Sequence, residues 1–330
     1  MFRTLSAAGE SWPLAAPFRI SRGVKTAAEV VTVELRQGET AGRGESVPYA
    51  RYGETVQSVL AQIREIQSDL ERGLSRTCLL ERLPPGAARN AVDCALWDLE
   101  AKLSGTPVWR TLGEAPPAPL VTALTVSLDA PEAMAAAAAR IAGTALIKVK
   151  VDSHDPEAQL RAVRAAAPDA GLIVDPNESW DIDLLRRMQP VLRQLRVSLV
   201  EQPLPASEDA ALEGFAPSAP ICADESCHTA EDLSRLQGRY QAVNIKLDKT
   251  GGLTGALALL KEARQRGFAV MSGCMVCSSL GVAPAFHIAR HTDFADLDGP
   301  LWLRQDRPGG VRFVEDRLQP PAEGFWGWGR

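Results

Sequence analysis

Five charged residues, each at the end of a hydrophobic run, recur along the chain at intervals of 22 to 26 residues. They are Lys150, Asp175, Glu201, Asp224 and Lys246, and they close the runs ALIKVK, GLIVD, VSLVE, PICAD and AVNIK. This interval is the length of one strand–loop–helix unit, and a continuous apolar run is typical of a buried parallel strand. Charges at the C-terminal ends of such strands would meet at the mouth of a barrel, where barrel folds place their chemistry.

Eight strand-like runs, separated by helical patterns, predict a (β/α) barrel in the second part of the chain. The runs lie near residues 121–127, 145–150, 171–175, 197–201, 220–224, 241–246, 268–272 and 293–298. The region from about residue 305 onward loses this period. It ends in an aromatic FWGWGR tail that looks exposed, and we expect the segment to leave the barrel and pack on the N-terminal region.

The first part of the chain shows a different pattern. Alternating residues predict two strands that turn at Gly38, and residues 55–74 and 87–105 each predict a helix, which together are typical of an α+β domain. We therefore predict an α/β protein with three parts. They are an α+β capping domain over 1–118, a modified TIM (β/α) barrel over 119–304, and a C-terminal segment over 305–330 that completes the capping domain.

Composition narrows the class of partner. The 330 residues include 36 Lys and Arg against 41 Asp and Glu, a net charge of −5, so no basic field favours a nucleic acid. No apolar run approaches the length of a membrane span, and the first residues lack the apolar core of a signal peptide. We expect a cytoplasmic protein that binds a small molecule and keeps its six cysteines reduced. The sequence leaves a homo-oligomer open.

Three carboxylates at successive strand ends predict a metal site. Asp175, Glu201 and Asp224 are hard oxygen ligands with no histidine or cysteine at equivalent positions, which favours Mg²⁺, or alternatively Mn²⁺, over zinc. A single acid at a strand end is usually a helix cap. Three in succession would repel one another without a cation, so a metal is the better interpretation.

Lysines flank these carboxylates on both sides. Lys148 and Lys150 are two residues apart on one strand and share a face, with Lys150 nearer the mouth. Lys148 would disfavour the protonated form of Lys150 and so support it as a base. Lys246 lies four strands away, so Lys150 and Lys246 could act on opposite faces of one carbon. Lys249 competes with Lys246, but we expect it to be a loop residue.

The motifs around these residues resemble the muconate-lactonizing subgroup of the enolase superfamily. They are the KVK strand and the segments DPNESW, EQPLP, ADESCHT and NIKLDKTGG, and the resemblance extends over nearly the whole chain. It implies a modified barrel with an α+β cap, one Mg²⁺, and removal of a proton α to a carboxylate to give an enediolate. One departure is Pro176, where the family more often has alanine.

The segment FADLDG narrows the resemblance within that family. Asp296 and Asp298 face the same side of the last strand and look like the DxD motif of dipeptide epimerases, which holds a substrate ammonium group. The resemblance implies epimerisation of a small dipeptide, with L-Ala-D/L-Glu expected, in murein-peptide metabolism. In the capping domain, Arg22 and Lys25 are candidates for the glutamate side chain, and the planar fork of Arg22 makes it the preferred one.

Two other classes of function compete with this prediction. An N-acylamino-acid racemase, an o-succinylbenzoate synthase or a cycloisomerase of the same superfamily would use the same lysines and metal. These enzymes would leave Asp296 and Asp298 without an ammonium group to bind. A barrel that became a binding module would not need Lys150, Lys246 and all three acids. We therefore expect an isomerase.

Overall fold

A parallel sheet of eight strands, curled into a barrel, forms the centre of the computed structural model, which describes residues 2–329. The strands in chain order are β1 (Thr4–Ile20), β2 (Gly23–Gln37), β3 (Thr40–Ser46), β4 (Leu124–Val126), β5 (Leu146–Lys150), β6 (Gly171–Asp175), β7 (Val197–Glu201), β8 (Ile221–Ala223), β9 (Ala242–Ile245), β10 (Ala269–Gly273), β11 (Phe294–Asp296), β12 (Arg312–Val314) and β13 (Arg317–Gln319).

Helices connect these strands. They are α1 (Val56–Glu65), α2 (Gln67–Glu71), α3 (Arg76–Arg82), α4 (Ala87–Ser104), α5 (Val108–Thr111), α6 (Pro131–Arg140), α7 (Pro156–Ala166), α8 (Ile182–Gln194), α9 (Leu233–Leu236), α10 (Leu247–Thr250), α11 (Leu253–Gln265), α12 (Ser279–Val282) and α13 (Phe286–Ala289). Short 3₁₀ helices span Ala50–Tyr52, Asp209–Leu212, Ala230–Asp232, Ala283–Ala285 and Gly299–Trp302.

The barrel strands lie in chain order from β4 to β11, and every neighbouring pair is parallel. All eight predicted strands are present at or within a few residues of their expected positions. The first and last strands approach each other through a hydrogen bond from Ala123 N to Ala295 O of 2.8 Å, so the barrel is nearly closed. This confirms the predicted barrel.

Inward-facing positions form two layers inside the barrel. A floor of apolar side chains is built from one residue per strand or strand entrance: Ala123, Leu146, Ile173, Leu199, Cys222, Ala242 and Met271. Because side chains alternate along a strand, the residue two positions further on faces the same interior. Those positions hold Thr125, Lys148, Asp175, Glu201, Asp224, Asn244 and Gly273. The charged layer therefore follows directly from the strand register above an apolar floor.

The N-terminal region is a three-stranded antiparallel sheet, β1–β2–β3, covered by α4. Gly42 and Gly44 on β3 make this contact close, because a Cβ at either position would lie within 2.3 Å of the α4 backbone. Helix α4 ends at Ser104, and Gly105 directly after it has a left-handed φ of 70°, which is typical of glycine at this position. The single helix predicted over 55–74 is wrong in one respect, since it is interrupted at Ile66 and forms α1 and α2.

The C-terminal segment returns to the N-terminal sheet and helix. Trp326 Nε1 donates to the carbonyl oxygens of Arg43, at 3.0 Å, and Cys94, at 3.1 Å. Gly327 N donates to Asp98 Oδ1 at 2.7 Å. Only 4 % of Trp326 is exposed, so the expectation of an exposed aromatic tail is wrong: the indole fills the space beside α4. In the described part of the chain, no helix has the length and apolar character needed to cross a membrane.

Candidate active site

Three buried carboxylates lie at the ends of β6, β7 and just beyond β8, as the strand register requires. Asp175, Glu201 and Asp224 each have one oxygen anchored by a neighbouring protein group and the other directed toward lysine ammonium groups. The anchoring bonds run from Asn177 N to Asp175 Oδ1 (2.9 Å), from Asn244 Nδ2 to Glu201 Oε1 (2.8 Å), and from Lys249 Nζ to Asp224 Oδ1 (2.7 Å).

Lys148 lies at the centre of this group. Its Nζ is 2.6 Å from Glu201 Oε2, 2.7 Å from Asp296 Oδ2 and 3.1 Å from Asp175 Oδ2. The contact with Glu201 is an ion pair without hydrogen-bond geometry, because Glu201 Oε2 has no hydrogen-bond partner among residues 2–329. Lys148 therefore compensates several carboxylates at once, which is how a fully buried ammonium group can be accommodated.

The two predicted bases each pair with one of the predicted metal ligands. Lys150 Nζ is 2.5 Å from Asp175 Oδ2, and Lys246 Nζ is 2.7 Å from Asp224 Oδ2. Both side chains line the same cavity at the barrel mouth, and only 6 % and 7 % of these residues is exposed. The strand order places β5 and β9 four strands apart, so the two ammonium groups approach the cavity from different walls.

The lysines and carboxylates shift one another's pKa values. Burial acts to raise the pKa of Asp175, but Lys150 and Lys148 lower it to about 2. Burial acts to lower the pKa of Lys148 and Lys246, but facing carboxylates raise it above the ordinary value in both cases. Burial and the neighbouring Asp175 raise the pKa of Glu201. The site thus holds mutually dependent charges rather than independent ions.

The donor set of this layer fits a hard divalent cation. All three predicted ligands offer carboxylate oxygens, and Glu201 Oε2 is buried without a hydrogen bond from any described residue. As the side chains stand, no group of three or more His, Cys, Asp or Glu in the described chain is arranged to hold a metal ion. The physical reason is that lysine ammonium groups lie between the carboxylates. The assignment of Asp175, Glu201 and Asp224 as ligands stays a prediction.

Asp296 and Asp298 come together at the same cavity. Asp296 Oδ2 accepts from Lys148, whereas its Oδ1 is buried without a hydrogen-bond partner in the described chain. Asp298 Oδ2 accepts from Thr125 N, at 2.8 Å, and from Trp302 Nε1, at 3.2 Å. Burial and the nearby Asp296 raise the pKa of Asp298 to about 6. A cation between the two carboxylates would relieve both the unpaired oxygen and this repulsion.

Arg22 from the β1–β2 turn and Lys25 from the start of β2 also line the cavity, in different ways. Arg22 is paired with two carboxylates, Glu225 Oε1 at 2.6 Å and Glu178 Oε2 at 3.0 Å. Lys25 lies over the ring of Tyr49, 4.8 Å from its centroid, and forms no ion pair with a carboxylate of the described residues. Burial lowers the pKa of Lys25, and Lys246 lowers it further. The preference for Arg22 therefore lacks support from its contacts.

Lys249 differs from its expected position. It is 1 % exposed, lies in α10 rather than in a loop, and donates to Asp224 O, Asp224 Oδ1 and Asn244 O. These three bonds use all three of its hydrogens, so Lys249 is a structural partner of Asp224 and not a free base. Lys249 follows Lys246 by three residues and therefore lies about one helical turn beyond the end of β9.

Several cavity residues were not identified from the sequence. They are Phe18, Ile20, Tyr49, Thr125, Asn177, Glu225, Cys274, Met275 and Val276. Glu225 carried the clearest signal, since it directly follows Asp224 at a strand end. Burial and Asp224 raise its pKa to about 7. The apolar residues of this set lie in the loop after β10 or on the capping strand β1. In these segments a single sequence has no periodic pattern that would identify the residues facing the cavity.

Lysines that face each other across a layer of carboxylates, beneath an antiparallel cap, are the arrangement of enolase-like barrels. Comparison with known families agrees with this class. Residues 132–325 match the enolase C-terminal domain-like family, and residues 3–113 match the mandelate racemase / muconate lactonizing enzyme N-terminal domain. The chain belongs to the mandelate racemase / muconate lactonizing enzyme family, which confirms the resemblance inferred from its motifs.

Individual relatives place the chain more narrowly. It is 49 % identical to the L-Ala-D/L-Glu epimerase of Escherichia coli over 96 % of this chain and 99 % of that protein. It is 45 % identical to an N-acetyl-D-glutamate racemase of a Pseudoalteromonas species over 90 % of this chain and 95 % of that protein. Both relatives are isomerases, and the chain is accordingly an isomerase.

Two solved structures show similar folds with ligands. An enolase family member from Agrobacterium tumefaciens, described with sodium and L-Ala-L-Glu, has a TM-score of 0.97 and 50 % identity, with 98 % of this chain and 100 % of that chain covered. A dipeptide epimerase from Cytophaga hutchinsonii, complexed with Mg and D-Ala-L-Val, has a TM-score of 0.90 and 28 % identity, with 97 % and 94 % covered.

Proposed function

We propose that this protein is a dipeptide epimerase that inverts the α-carbon of the C-terminal residue, with L-Ala-D/L-Glu as its substrate pair. The observation that carries the proposal is the pair of lysines on opposite walls of one cavity, together with two aspartates at the end of the last barrel strand. The resemblance to an L-Ala-D/L-Glu epimerase at 49 % identity supports the same substrate.

Lys150 and Lys246 are the proposed acid–base pair. One takes the α-proton from one face of the carbon, and the other returns a proton to the opposite face, so the configuration inverts. Each ammonium group is held by a carboxylate, Lys150 by Asp175 and Lys246 by Asp224, which fixes its direction toward the cavity. Lys148 supports the pair by compensating the surrounding carboxylates.

The cofactor is proposed to be Mg²⁺, with Mn²⁺ as the alternative, held by Asp175, Glu201 and Asp224. When bound, the cation would neutralise the charge that develops on the substrate carboxylate as the α-proton leaves. Support comes from the hard oxygen donors of this chain and from Glu201 Oε2, which is buried and receives no hydrogen bond from the described residues. A structural relative complexed with Mg agrees with this choice.

The two ends of the dipeptide are proposed to bind at different walls. Asp296 and Asp298 would hold the ammonium end, because one carboxylate oxygen there lacks a partner within residues 2–329 and a positive charge would stabilise both acids. Lys25 of β2 would pair with the glutamate side chain, since it lines the cavity and its ammonium group has no carboxylate partner in the described region. Arg22 would shape the same wall while bound to Glu225 and Glu178.

An N-acylated amino acid is the second candidate substrate, favoured by the 45 % identity to an N-acetyl-D-glutamate racemase. Such a substrate lacks the positive charge that Asp296 and Asp298 require. It would leave two buried acids next to a neutral amide, which is costly. Racemisation of an N-acylated amino acid, o-succinylbenzoate synthesis, cycloisomerisation and a purely binding role are therefore weaker proposals for this chain.

One experiment tests the function directly. The protein is incubated in D₂O with a small library of dipeptides and N-acylated amino acids, and deuterium incorporation at the α-carbon is followed by NMR. We expect exchange and epimerisation to be fastest with L-Ala-L-Glu, to stop with EDTA, and to return with Mg²⁺ or Mn²⁺. Faster exchange of N-acetylglutamate than of any dipeptide would contradict the substrate, and full activity after removal of metal would contradict the cofactor.

Cellular context stays a prediction. A cytoplasmic location and a role in murein-peptide metabolism are implied by the resemblance to L-Ala-D/L-Glu epimerases. The expected absence of nucleic-acid and membrane partners rests on the net charge of −5 and on the lack of a long apolar run in the sequence.

A further inference from the structure

Gln202 follows the predicted ligand Glu201 directly and is fully buried behind it. Its φ of 34° lies in the left-handed region, which a residue other than glycine rarely adopts. A conformation of this kind persists only where surrounding bonds fix it, and it is most often found at functional sites. Gln202 does not line the cavity, so any role in the reaction must pass through its neighbours.

The carboxamide of Gln202 bonds at both ends. Its Oε1 accepts from Asp224 N, at 2.8 Å, and from Ser226 N, at 3.1 Å, so it fixes the backbone on either side of Glu225. Its Nε2 lies 2.9 Å from each of three acceptors, Leu204 O, Ser226 Oγ and Tyr240 Oη. One side chain thus holds the turn that carries a predicted metal ligand.

The backbone of Gln202 connects the same turn to the other two ligands. Gln202 N donates to Cys222 O at 2.8 Å, which ties the end of β7 to β8. Glu178 N donates to Gln202 O at 2.9 Å, which ties it to the loop after Asp175. Through these bonds, Gln202 contacts the segments that carry Asp175, Glu201 and Asp224.

Asp224 is therefore immobilised from two directions by side chains outside the cavity. Gln202 holds its N–H, and Lys249 holds its carbonyl oxygen and its Oδ1. The remaining oxygen, Oδ2, points to Lys246 and the cavity. The direction of this carboxylate therefore depends on the two partners behind it.

A second set of bonds supports Gln202 from behind. Tyr240 Oη, which accepts from Gln202 Nε2, donates to Asp209 Oδ2 at 3.3 Å. Asp209 is in turn held by Arg235, at 3.1 Å, and Arg239, at 2.9 Å. The buried carboxamide is thus connected to arginines near the surface, and its orientation is determined by this chain of bonds.

We propose that Gln202 is a positioning residue for the metal site: it holds the three carboxylates in the relative orientation that Mg²⁺ binding requires. The inference rests on the proposed function, since it concerns the same cation. Only an amide suits the position, because Oε1 must accept from two N–H groups while Nε2 donates. A carboxylate would lose the donor, and an apolar side chain would leave buried N–H groups unpaired.

The test is Gln202→Asn, which keeps the amide and shortens it by one methylene, so that it no longer spans to Asp224 N. Mg²⁺ affinity is measured by isothermal titration calorimetry, with no substrate present. We expect the Kd to rise roughly 10- to 100-fold, as for other groups that orient metal ligands. At saturating Mg²⁺ most of kcat should return. Gln189→Asn on α8 is the matched control, because that amide also bonds at both ends, to Leu185 O and Ser218 N, away from the cavity.

A milder variant covers the case in which Gln202→Asn does not fold. Tyr240→Phe keeps the ring but removes the hydroxyl that accepts from Gln202 Nε2 and donates to Asp209. We expect the Mg²⁺ Kd to rise about fivefold, which is the effect of losing one neutral hydrogen bond. An unchanged Mg²⁺ Kd in folded Gln202→Asn, or in Tyr240→Phe where the former is unfolded, would overturn the inference alone. Failure of the wild-type protein to bind Mg²⁺ would instead refute the metal assignment, and this inference with it.

Discussion

Lys150 and Lys246 are equivalent in chemistry but differ in what holds them. Lys150 pairs with Asp175 and projects from within β5, whereas Lys246 pairs with Asp224 and directly follows β9. Because the two bases have separate partners, loss of one should leave the other in place. The structure therefore predicts that the two halves of the proton transfer can be separated experimentally.

Replacement of either lysine by alanine should stop epimerisation but preserve exchange on one face. Each base contributes about 10²-fold or more, so Lys150→Ala and Lys246→Ala should each lose at least that factor in kcat. In D₂O, each variant should still exchange the α-proton of one epimer of Ala-Glu, and the two variants should differ in which epimer. Lys261→Ala, on the exposed side of α11, is the control. Normal epimerisation by Lys246→Ala, with loss in Lys249→Ala, would show that the wrong lysine was assigned.

Asp298 allows a test of the ammonium site with little change of shape. In Asp298→Asn, the oxygen that accepts from Thr125 and Trp302 can be retained, while the negative charge is lost. We expect kcat/KM for L-Ala-L-Glu to fall by roughly 10- to 100-fold, because charge-assisted hydrogen bonds contribute about 1.5–3 kcal/mol. Turnover of the N-acetylated dipeptide should be low in both proteins and change little. An equal loss for both substrates would point to a structural defect instead.

The alternation of side chains in the barrel strands explains how much of this site the sequence could predict. The sequence predicted that three side chains would converge, because the alternation along their apolar strands fixes which residues face inward. These are Lys148, Lys150 and Asp175. Three other features could not be predicted, because each depends on packing between distant segments. They are the interruption of the helix at Ile66, the burial of Trp326 and the helical position of Lys249. Contacts of the capping turn, such as Arg22 with Glu225, are of the same kind.

Strand β10 contributes to the site by the absence of a side chain. Its last residue, Gly273, occupies an inward position of the charged layer. A Cβ built there would lie 2.7 Å from Asn244 Oδ1, 2.8 Å from Asn244 Nδ2 and 3.0 Å from Lys246 Cε. Asn244 anchors Glu201, so the space beside Gly273 serves both a predicted ligand and a predicted base.

Gly273→Ala should therefore impair catalysis while the barrel stays folded. The added methyl group must displace Asn244 or Lys246, and misplacement of a reacting group by about 1 Å can cost on the order of 10²-fold in rate. We expect a loss in kcat of that order, with a normal circular dichroism spectrum. Gly143→Ala is the matched control, because a Cβ there meets no atom within 4 Å. Wild-type kcat in Gly273→Ala would mean that the layer adjusts freely.

The cap and the barrel are joined through buried acids as well as through apolar packing. Glu45 of β3 accepts from Ser278 N of the barrel and from Arg307 of the C-terminal segment, both at 2.8 Å. Asp248 of α10 accepts at one oxygen from Val47 N, at 2.9 Å, and Asn90 Nδ2, at 2.8 Å. Burial raises the pKa of Asp248 to about 7. The association of the two parts should therefore depend on pH.

The sign of that dependence follows from proton binding. Asp248 takes up its proton more tightly in the folded protein than in the unfolded chain, where its pKa is near the ordinary value of about 3.9. Its stabilising contribution is complete below about pH 4 and is lost as the pH rises from there to about 7. Asp248→Asn can keep the oxygen that accepts both hydrogen bonds and removes the titration. The variant should gain stability relative to wild type between pH 5 and pH 8, by on the order of 2 kcal/mol.

Urea unfolding at pH 5 and pH 8 measures this difference as the change in unfolding free energy between variant and wild type. Asp183→Asn, an acid on the exposed side of α8, is the control and should change stability little at either pH, since exposed ion pairs contribute little. If the wild-type protein gains stability relative to Asp248→Asn as the pH rises, Asp248 is charged and compensated in the folded state. The junction of cap and barrel would then contain a compensated carboxylate rather than the protonated acid that its burial favours.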